Sequence, residues 1–509
     1  MSSIENISDQ NIRDSIIINN GNTVISASAG SGKTYTIIKK IEKILSEDIK
    51  DHKIIAALTF TIKATKEIRD RVNFSQNNVV VLTNDSFIEL EIIRPFLLDV
   101  ALFKEEYSSD FVIEYSNNFK FRTIKEGCTI LKNNNVLGSF WDKKMNFKFK
   151  LAHYILENSI AAQQYLKAKY HILFIDEYQD SDQDMHRFFM QLKNLLGLTL
   201  FIIGDKKQAI YKWRGAMSNV FELLNEEDFQ NYNLFHNFRS DIEIRNYANF
   251  LHDEEYFIEN QKEVQNVIFL RGQGILNNFE TMLKENILDL DKEITIISNS
   301  HNVAQEIANS LNRGGYNFIY VPKTPIDEGV VNSLFLKSLA YFSKNERYSI
   351  YDFFNDIHFT DLRKNIINEV SNIVNPLKLN INLDSDMIIQ TLKKLSDYLG
   401  IIISHIEISR FVDTILNTDY QQAFLINNER HQVMTVFGSK GLEFDQVVGF
   451  SQDYNIARIT QDNDDIEKHY VCVTRAKKKF VMILNEENYL KFVEKRMILK
   501  QIRNIFKLI

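Results

Sequence analysis

The chain has 509 residues, 44% hydrophobic and 25% charged, the proportions of a globular protein with room for about three to four domains. A formal net charge of −7 excludes a globally basic nucleic-acid binder but leaves room for a local basic groove. The two cysteines, Cys128 and Cys472, lack CxxC spacing, which argues against a zinc site or disulfide framework. The start MSSIENISDQNIRDSIII is no secretion signal, and no stretch approaches the ~18 apolar residues of a membrane helix, so a cytoplasmic protein without a membrane partner is expected.

In chain order, Thr23–Ser26 (TVIS) is the first buried-strand pattern. It runs through Ala27-Ser28-Ala29-Gly30-Ser31-Gly32-Lys33-Thr34 into a helical pattern over Thr36–Leu45. Strand, glycine loop and helix in that order predict a phosphate-binding loop. Gly30 and Gly32 let backbone N–H groups close around phosphate oxygens, and the helix start adds the positive end of its dipole. Lys33 is suited to the β- and γ-phosphates of ATP and the Thr34 hydroxyl to Mg²⁺. Ala27 stands where the generic pattern has glycine.

Strand patterns at Ile54–Thr59 (IIAALT) and Val79–Thr83 (VVVLT) enclose a helical pattern over Ala64–Val72. Residues 88–160, aromatic-rich and mostly helical in pattern, break the alternation and read as an insertion. The strand Ile172–Ile175 (ILFI) then ends in Asp176 and Glu177. Two carboxylates there suit Mg-ATP hydrolysis, with Asp176 on the metal and Glu177 polarising the attacking water. The strand Leu198–Ile203 (LTLFII) leads into GDKKQAIYKWRGA, where Gln208 is suited to sense the γ-phosphate. Tyr211 and Trp213 offer flat faces to bases and Arg214 a cation to a phosphate.

A second alternation comprises Glu293–Ser298, a helix over Asn302–Leu311, a strand at Phe318–Val321 and, after a mainly helical stretch, strands at Gln432–Val436, Gln446–Phe450 and Phe480–Leu484. The fold expected is α/β, two P-loop-type domains with parallel sheets, each carrying a mainly helical inserted subdomain. The bounds are residues 1–87 with 161–265 for the first domain and 88–160 for its insertion, then 266–325 with 425–509 for the second and 326–424 for its insertion. Only four prolines occur, so packed connections rather than extended linkers are expected.

With these elements in this order, the chain resembles the superfamily 1 DNA helicases of the UvrD/Rep type, which implies two RecA-like domains. Thr59–Ile68 (TFTIKATKEI) looks like the family's TFTNKAAxEM segment, and Thr83–Phe87 (TNDSF) like TxHSF. Leu234–Ser240 (LFHNFRS) is similar to LxxNYRS, Met434–Phe444 (MTVFGSKGLEF) to MTxHxAKGLEF, and Tyr470–Ala476 (YVCVTRA) to YVAxTRA. The resemblance implies that Arg239 and Arg475 meet the γ-phosphate, that Phe238 stacks on the adenine and that Glu443 contacts the ribose. It further implies that Gln10 reads the base, that Phe60, Tyr211 and Trp213 stack on single-stranded bases, and that Thr59, Thr83 and Arg214 contact the strand. The activity implied is an ATP-dependent, 3′ to 5′ DNA helicase or translocase acting on single strands, ends or tailed duplexes.

The family's usual residues are replaced at three places. Tyr35 stands where many members carry an arginine near the base, Ile62 replaces an asparagine, and Phe437 replaces a histidine that helps link the ATP and DNA sites. Both insertions look shorter than in the large helicases. These departures make a DNA-end-sensing, DNA-stimulated ATPase with little unwinding the alternative. Glu91–Phe96 (EIIRPF) and Asp176–His186 (DEYQDSDQDMH), with the overall length, further resemble the helicase-like subunits of Gabija anti-phage systems. That resemblance implies a bacterial defence complex with an OLD/Toprim-type ATPase-nuclease subunit.

Overall fold

The computed structural model describes residues 9–47, 53–60, 65, 68, 71, 78–100, 103, 111–252, 263–327, 330, 332–346, 348–357, 359, 363–378, 383–424, 431–456 and 464–509. Ile62 and most of the helix expected over 64–72 fall outside them.

The first sheet is built from β1 (Thr23–Ala27), β2 (Ile54–Thr59), β3 (Val79–Thr83), β4 (Tyr170–Ile175), β5 (Thr199–Gly204) and β6 (Gln230–Leu234). The strands are parallel in the order β6-β1-β5-β4-β2-β3. Apolar runs buried along most of their length make the four inner strands, as a sheet covered by helices on both sides requires, whereas at the edges β3 buries only Val81 and β6 only Leu234. The core on one face gathers Ile25, Ile55, Phe174 and Phe201 with Ile37 and Ile41 of the helix Lys33–Ser46. The expected strands were one residue short at β1 and two at β4, and β5 is displaced by one residue. β6 was missed because only Leu234 of QNYNL is buried.

Six strands of a second sheet lie in the same compact unit. Its strands β7 (Val267–Arg271), β8 (Ile294–Ser298), β9 (His431–Thr435), β10 (Phe444–Phe450), β11 (Ala476–Leu484) and β12 (Lys507–Leu508) are parallel in the order β9-β8-β10-β11-β7-β12. β7, although an apolar VIFL run, and β12 were not anticipated.

The chain divides into two compact units, and the division falls inside the first expected insertion and a few residues outside the second. The first unit takes in 1–99, 143–318 and 430–509, the second 100–142 and 319–429. Residues 88–99 and 143–160 thus belong with the first sheet. Phe149 packs edge-on against Phe188 with ring centroids 5.6 Å apart, and the Tyr165 hydroxyl donates to Glu91 at 2.8 Å. The second unit has its own core, in which Leu336, Leu339, Val370, Leu392, Leu395 and Phe411 are buried. It also holds two short strand pairs, Val112–Ile113 with Val136–Leu137 and Lys120–Phe121 with Ser139–Phe140, where a mostly helical segment was expected.

Candidate active site

The strand β1 delivers the glycine loop. Gly30 and Gly32 have φ of +71° and +83°, a region closed to most side chains. A Cβ on Gly30 would collide with the Asn237 amide and lie 2.9 Å from Cβ of Arg239. The loop therefore touches the β6 exit segment, and Phe238 N–H donates to the Gly30 carbonyl at 3.0 Å. The Asn237 side chain accepts from Arg239 N–H at 2.7 Å and Ser240 N–H at 3.0 Å. That Asx turn sets where Arg239 leaves the backbone.

The loop opens into a cleft of about 870 Å³ whose lining includes Gly30, Ser31, Gly32, Lys33, Thr34, Tyr35, Phe60, Asp176, Glu177, Gln208, Tyr211, Phe238, Arg239, Phe437, Lys440, Glu443 and Arg475. One wall thus comes from the first sheet and the other from the second. Lys33 forms no hydrogen bond or ion pair among the described residues. The Ser31 hydroxyl is buried there without a partner. A lysine, an orphaned hydroxyl and a helix start aimed into one cleft form a cradle for phosphate oxygens. Thr34 and Asp176 add two hard oxygen donors, the type Mg²⁺ takes beside substrate phosphates.

The β4 strand ends in Asp176, only 5% exposed, whose carboxylate accepts from Glu177 N–H at 2.8 Å. Glu177 has φ +53°, a strained conformation for a non-glycine residue, and it turns the carboxylate into the cleft. Burial works against its charge, but Lys33, Lys440, the Gln179 amide that donates to it, and Arg475 together outweigh burial and hold the carboxyl below its ordinary range. Glu177 therefore stays ionised.

Gln208 is locked by donating to Asp205 at 2.8 Å, and its carbonyl faces Arg475 Nη2 at 3.5 Å. Arg475, 1% exposed, donates to the Val471 carbonyl at 3.0 Å, the Leu442 carbonyl at 2.9 Å and the Thr474 hydroxyl at 3.1 Å. Burial, then the nearby Arg239, lower its pKa to about 10, so it remains charged at neutral pH. Arg239 pairs with Glu443, two residues given separate roles on the nucleotide by the sequence. Phe238 is 64% exposed and Tyr35 49%. The Arg13 guanidinium lies within cation–π distance of both rings, at 5.8 and 5.6 Å.

Several expected site residues lie elsewhere. Gln10 is exposed at a helix start, donates to Asp14 at 2.7 Å and does not line the cleft. Ala27 is buried in β1, Ser28 accepts from Lys207 at 3.1 Å, and Ala29 N–H donates to the Tyr470 hydroxyl at 3.2 Å. Those three support the loop from behind. Thr59 is buried against the Thr65 hydroxyl at 2.6 Å. Thr83 caps the helix Asn84–Ile88 by accepting from Ser86 N–H at 3.1 Å.

The predicted strand-contact aromatics do gather. Phe60 stacks on Tyr211 at 5.9 Å and 22°, and Tyr211 lies 5.9 Å from Phe437. The Arg214 guanidinium sits 5.4 Å from Phe60, 5.3 Å from Tyr211 and 5.9 Å from the half-exposed Trp213. Aromatic faces beside a cation are what single-stranded bases and phosphates require.

Three residues were missed. Arg13 donates to the Ser31 carbonyl at 3.0 Å and to the Thr36 hydroxyl, and no local signal marks it. Asp180 and Lys440 stand inside segments already singled out, and they pair at 2.5 Å.

A phosphate loop on one parallel sheet, facing a buried arginine from a second, defines a P-loop protein with two RecA-like domains. Residues 12–214 match the AAA domain family and residues 364–487 the UvrD-like helicase C-terminal domain. The chain is 41% identical over 500 residues to the Gabija protein GajB of Bacillus cereus (strain VD045), over 97% of this chain and 99% of that protein. It is 26% identical over 400 residues to the ATP-dependent DNA helicase Rep of Buchnera aphidicola subsp. Acyrthosiphon pisum (strain APS), over 66% of this chain and 58% of Rep. With DNA helicase II of Haemophilus influenzae it shares 26% identity over 282 residues, covering 45% of this chain and 38% of that protein. The chain belongs to the UvrD/Rep-like DNA helicase family and resembles GajB along nearly its whole length.

Proposed function

We propose that this chain is an ATP-driven DNA translocase or helicase moving 3′ to 5′, and that it works as the helicase-like subunit of a cytoplasmic bacterial anti-phage complex. The observation that carries the reading is convergence: Lys33, Thr34, Asp176, Glu177, Gln208, Arg239 and Arg475 line one cleft. In this reading Lys33 and the loop N–H groups bind the β- and γ-phosphates of ATP. Thr34 and Asp176 would hold Mg²⁺, which when bound neutralises phosphate charge. Glu177, kept ionised by its cationic neighbours, polarises the attacking water. Gln208 senses the γ-phosphate. Arg239 and Arg475 stabilise charge on it, and Arg239 must first exchange Glu443 for phosphate. The purine stacks on Phe238 beside Tyr35, while Phe60, Tyr211, Trp213 and Arg214 grip a single strand.

The defence role rests on the similarity to GajB, and so does an OLD/Toprim-type ATPase-nuclease as partner. A DNA-end-sensing ATPase with little unwinding is the second reading. It is favoured by the chain spanning only 58% of Rep and by Phe437, which meets Tyr211 with a ring rather than a hydrogen-bonding imidazole. Strand displacement on 3′-tailed duplexes, run beside DNA-stimulated phosphate release, separates the two. Displacement coupled to turnover is expected. Robust turnover without displacement on any tailed duplex would leave only the sensor.

A further inference from the structure

A second recess, of about 260 Å³, opens at the rear of the phosphate loop and shares no lining residue with the nucleotide cleft. β1 alternates its side chains between two faces. Ile25 packs into the core shared with the helix Lys33–Ser46, and Ser26 takes the other face, where it lines the recess with Ser28. Lys207, buried in the wall, donates to the Ser28 hydroxyl at 3.1 Å and to Asn249 Oδ1 at 2.7 Å. Lys206 and Ser218 stand exposed at the rim. The Lys206 ammonium and the Ser26 and Ser218 hydroxyls form no hydrogen bond or ion pair among the described residues.

Two carboxylates also line the recess, and both are already answered. Asp205 accepts from Lys207 N–H at 3.1 Å and from the Gln208 amide at 2.8 Å, and Glu467 pairs with Lys212 at 3.0 Å. His252 completes the polar lining, edge-on to Tyr470 with ring centres 5.1 Å apart. Its Nε2 is buried and has no hydrogen-bond partner among the described residues. A buried polar nitrogen left without a partner is costly, so the recess suits a guest with polar atoms. Burial, then Lys207, hold the imidazole pKa well below its ordinary value, so the ring is neutral and brings no charge of its own. The groups on offer are the ammoniums of Lys206 and Lys207, the three serine hydroxyls and one ring nitrogen.

We infer that this recess is a second phosphate site, one that takes free inorganic phosphate rather than a nucleotide. Lys206 and Lys207 meet its negative oxygens, the charge-assisted contact that ammonium groups make with phosphate. The serine hydroxyls donate to the same oxygens or accept from its acidic hydroxyl. Phosphate carries both P–O⁻ and P–OH groups near neutral pH, so it answers His252 Nε2 whichever ring nitrogen holds the proton. The space falls below the roughly 300–1,000 Å³ of pockets that enclose larger ligands, which leaves out a base and sugar. The inference does not rest on the proposed function, although phosphate is what that reaction releases.

The test is calorimetric titration of inorganic phosphate into the full chain, in chloride buffer of fixed ionic strength, with the cleft first filled by a non-hydrolysable ATP analogue and Mg²⁺. One saturable site is expected. Lys206→Glu should weaken it roughly 10-fold or more, the scale of a charge-assisted hydrogen bond, and His252→Phe roughly fivefold. Lys33→Ala, which removes a phosphate contact of the cleft, should bind phosphate here as wild type does. If His252→Phe does not fold, judged by its melting transition, Lys206→Glu and Ser218→Ala, both at exposed positions, must each weaken binding. AMP should bind more weakly than phosphate under the same conditions. The inference is overturned by the absence of a saturable site once the cleft is filled, by phosphate affinity unchanged in Lys206→Glu or lost in Lys33→Ala, and by AMP binding more tightly than phosphate. A chain that hydrolyses no ATP overturns the proposed function alone, since the Lys206→Glu and Lys33→Ala comparison still locates the phosphate.

Discussion

Arg475 is held by its own backbone neighbourhood before any ligand is considered. Its donations to the Val471 and Leu442 carbonyls and the Thr474 hydroxyl use most of its planar fork, so the remaining edge has a fixed aim. Arg475→Lys cannot reproduce that fork, and it is expected to behave like Arg475→Ala. Both should lower kcat roughly 10³-fold or more, the range of arginine contacts in phosphoryl transfer, read by single-turnover hydrolysis. Lys33→Ala should fold normally, because Lys33 has no partner to lose among the described residues, yet lose hydrolysis roughly 100-fold or more, read by phosphate release. DNA-stimulated hydrolysis surviving in that variant would remove the phosphate-loop assignment. Lys33, Asp176, Glu177 and Gln208 were legible because each follows a strand at short spacing, whereas Arg475, which precedes one, was legible only through the family resemblance. Arg13 was not legible, since its partners Ser31 and Thr36 lie 18 and 23 residues away.

At the scale of elements, IIAALT was legible as a run buried along nearly its whole length, and VVVLT as a β-branched run although only Val81 is buried. The polar edge strand Gln230–Leu234 offers no such run, because an edge needs only one side covered. Helix starts obey local chemistry. Ser404 and Glu407 form a capping box at the helix His405–Leu416, each side chain bonding the other's backbone. Glu407 also accepts from Asn332 N–H at 2.7 Å, so this cap ties two helices of the second unit. Ser404→Ala should cost about 1 kcal/mol, read as a lower denaturation midpoint without a change in ATP hydrolysis by the first unit. Full activity loss would mean that the cap matters beyond stability.

Across the whole molecule, acid sensitivity should follow buried histidine. His469 is fully buried, contacts the Tyr489 hydroxyl at 2.6 Å and the Tyr247 hydroxyl at 3.1 Å, and its Nδ1 has no hydrogen-bond partner among the described residues. Burial lowers its pKa to about 3, against roughly 6.5 in an unfolded chain. The folded state thus binds fewer protons. Its stability is complete above the unfolded value and falls by up to about 1.4 kcal/mol per pH unit between the two values. Asp182 and Asp453, raised to about 6 chiefly by burial, act in the opposite sense, gaining relative stability as pH falls. The clean readout is therefore a difference. His469→Gln should be less stable than wild type at pH 8, and the gap should narrow steadily below pH 6.5 in thermal melts. A gap independent of pH would mean that the imidazole takes up its proton in the fold as readily as in the unfolded chain.

By itself the sequence determined what local spacing can carry: two alternating α/β regions, the phosphate loop at the end of β1, the carboxylates at the end of β4, and a family likeness strong enough to point to Arg239 and Arg475. Those features depend on residues adjacent in the chain, where strand, turn and helix preferences act directly. Only the tertiary structure decided that Gln10 does not line the cleft, that Arg13 lies near both Tyr35 and Phe238, that Arg239 pairs with Glu443, and that Lys440 reaches Asp180 and Tyr211. Such pairings are set by how two sheets close on one another. No periodicity along the chain encodes which buried charge will find which partner.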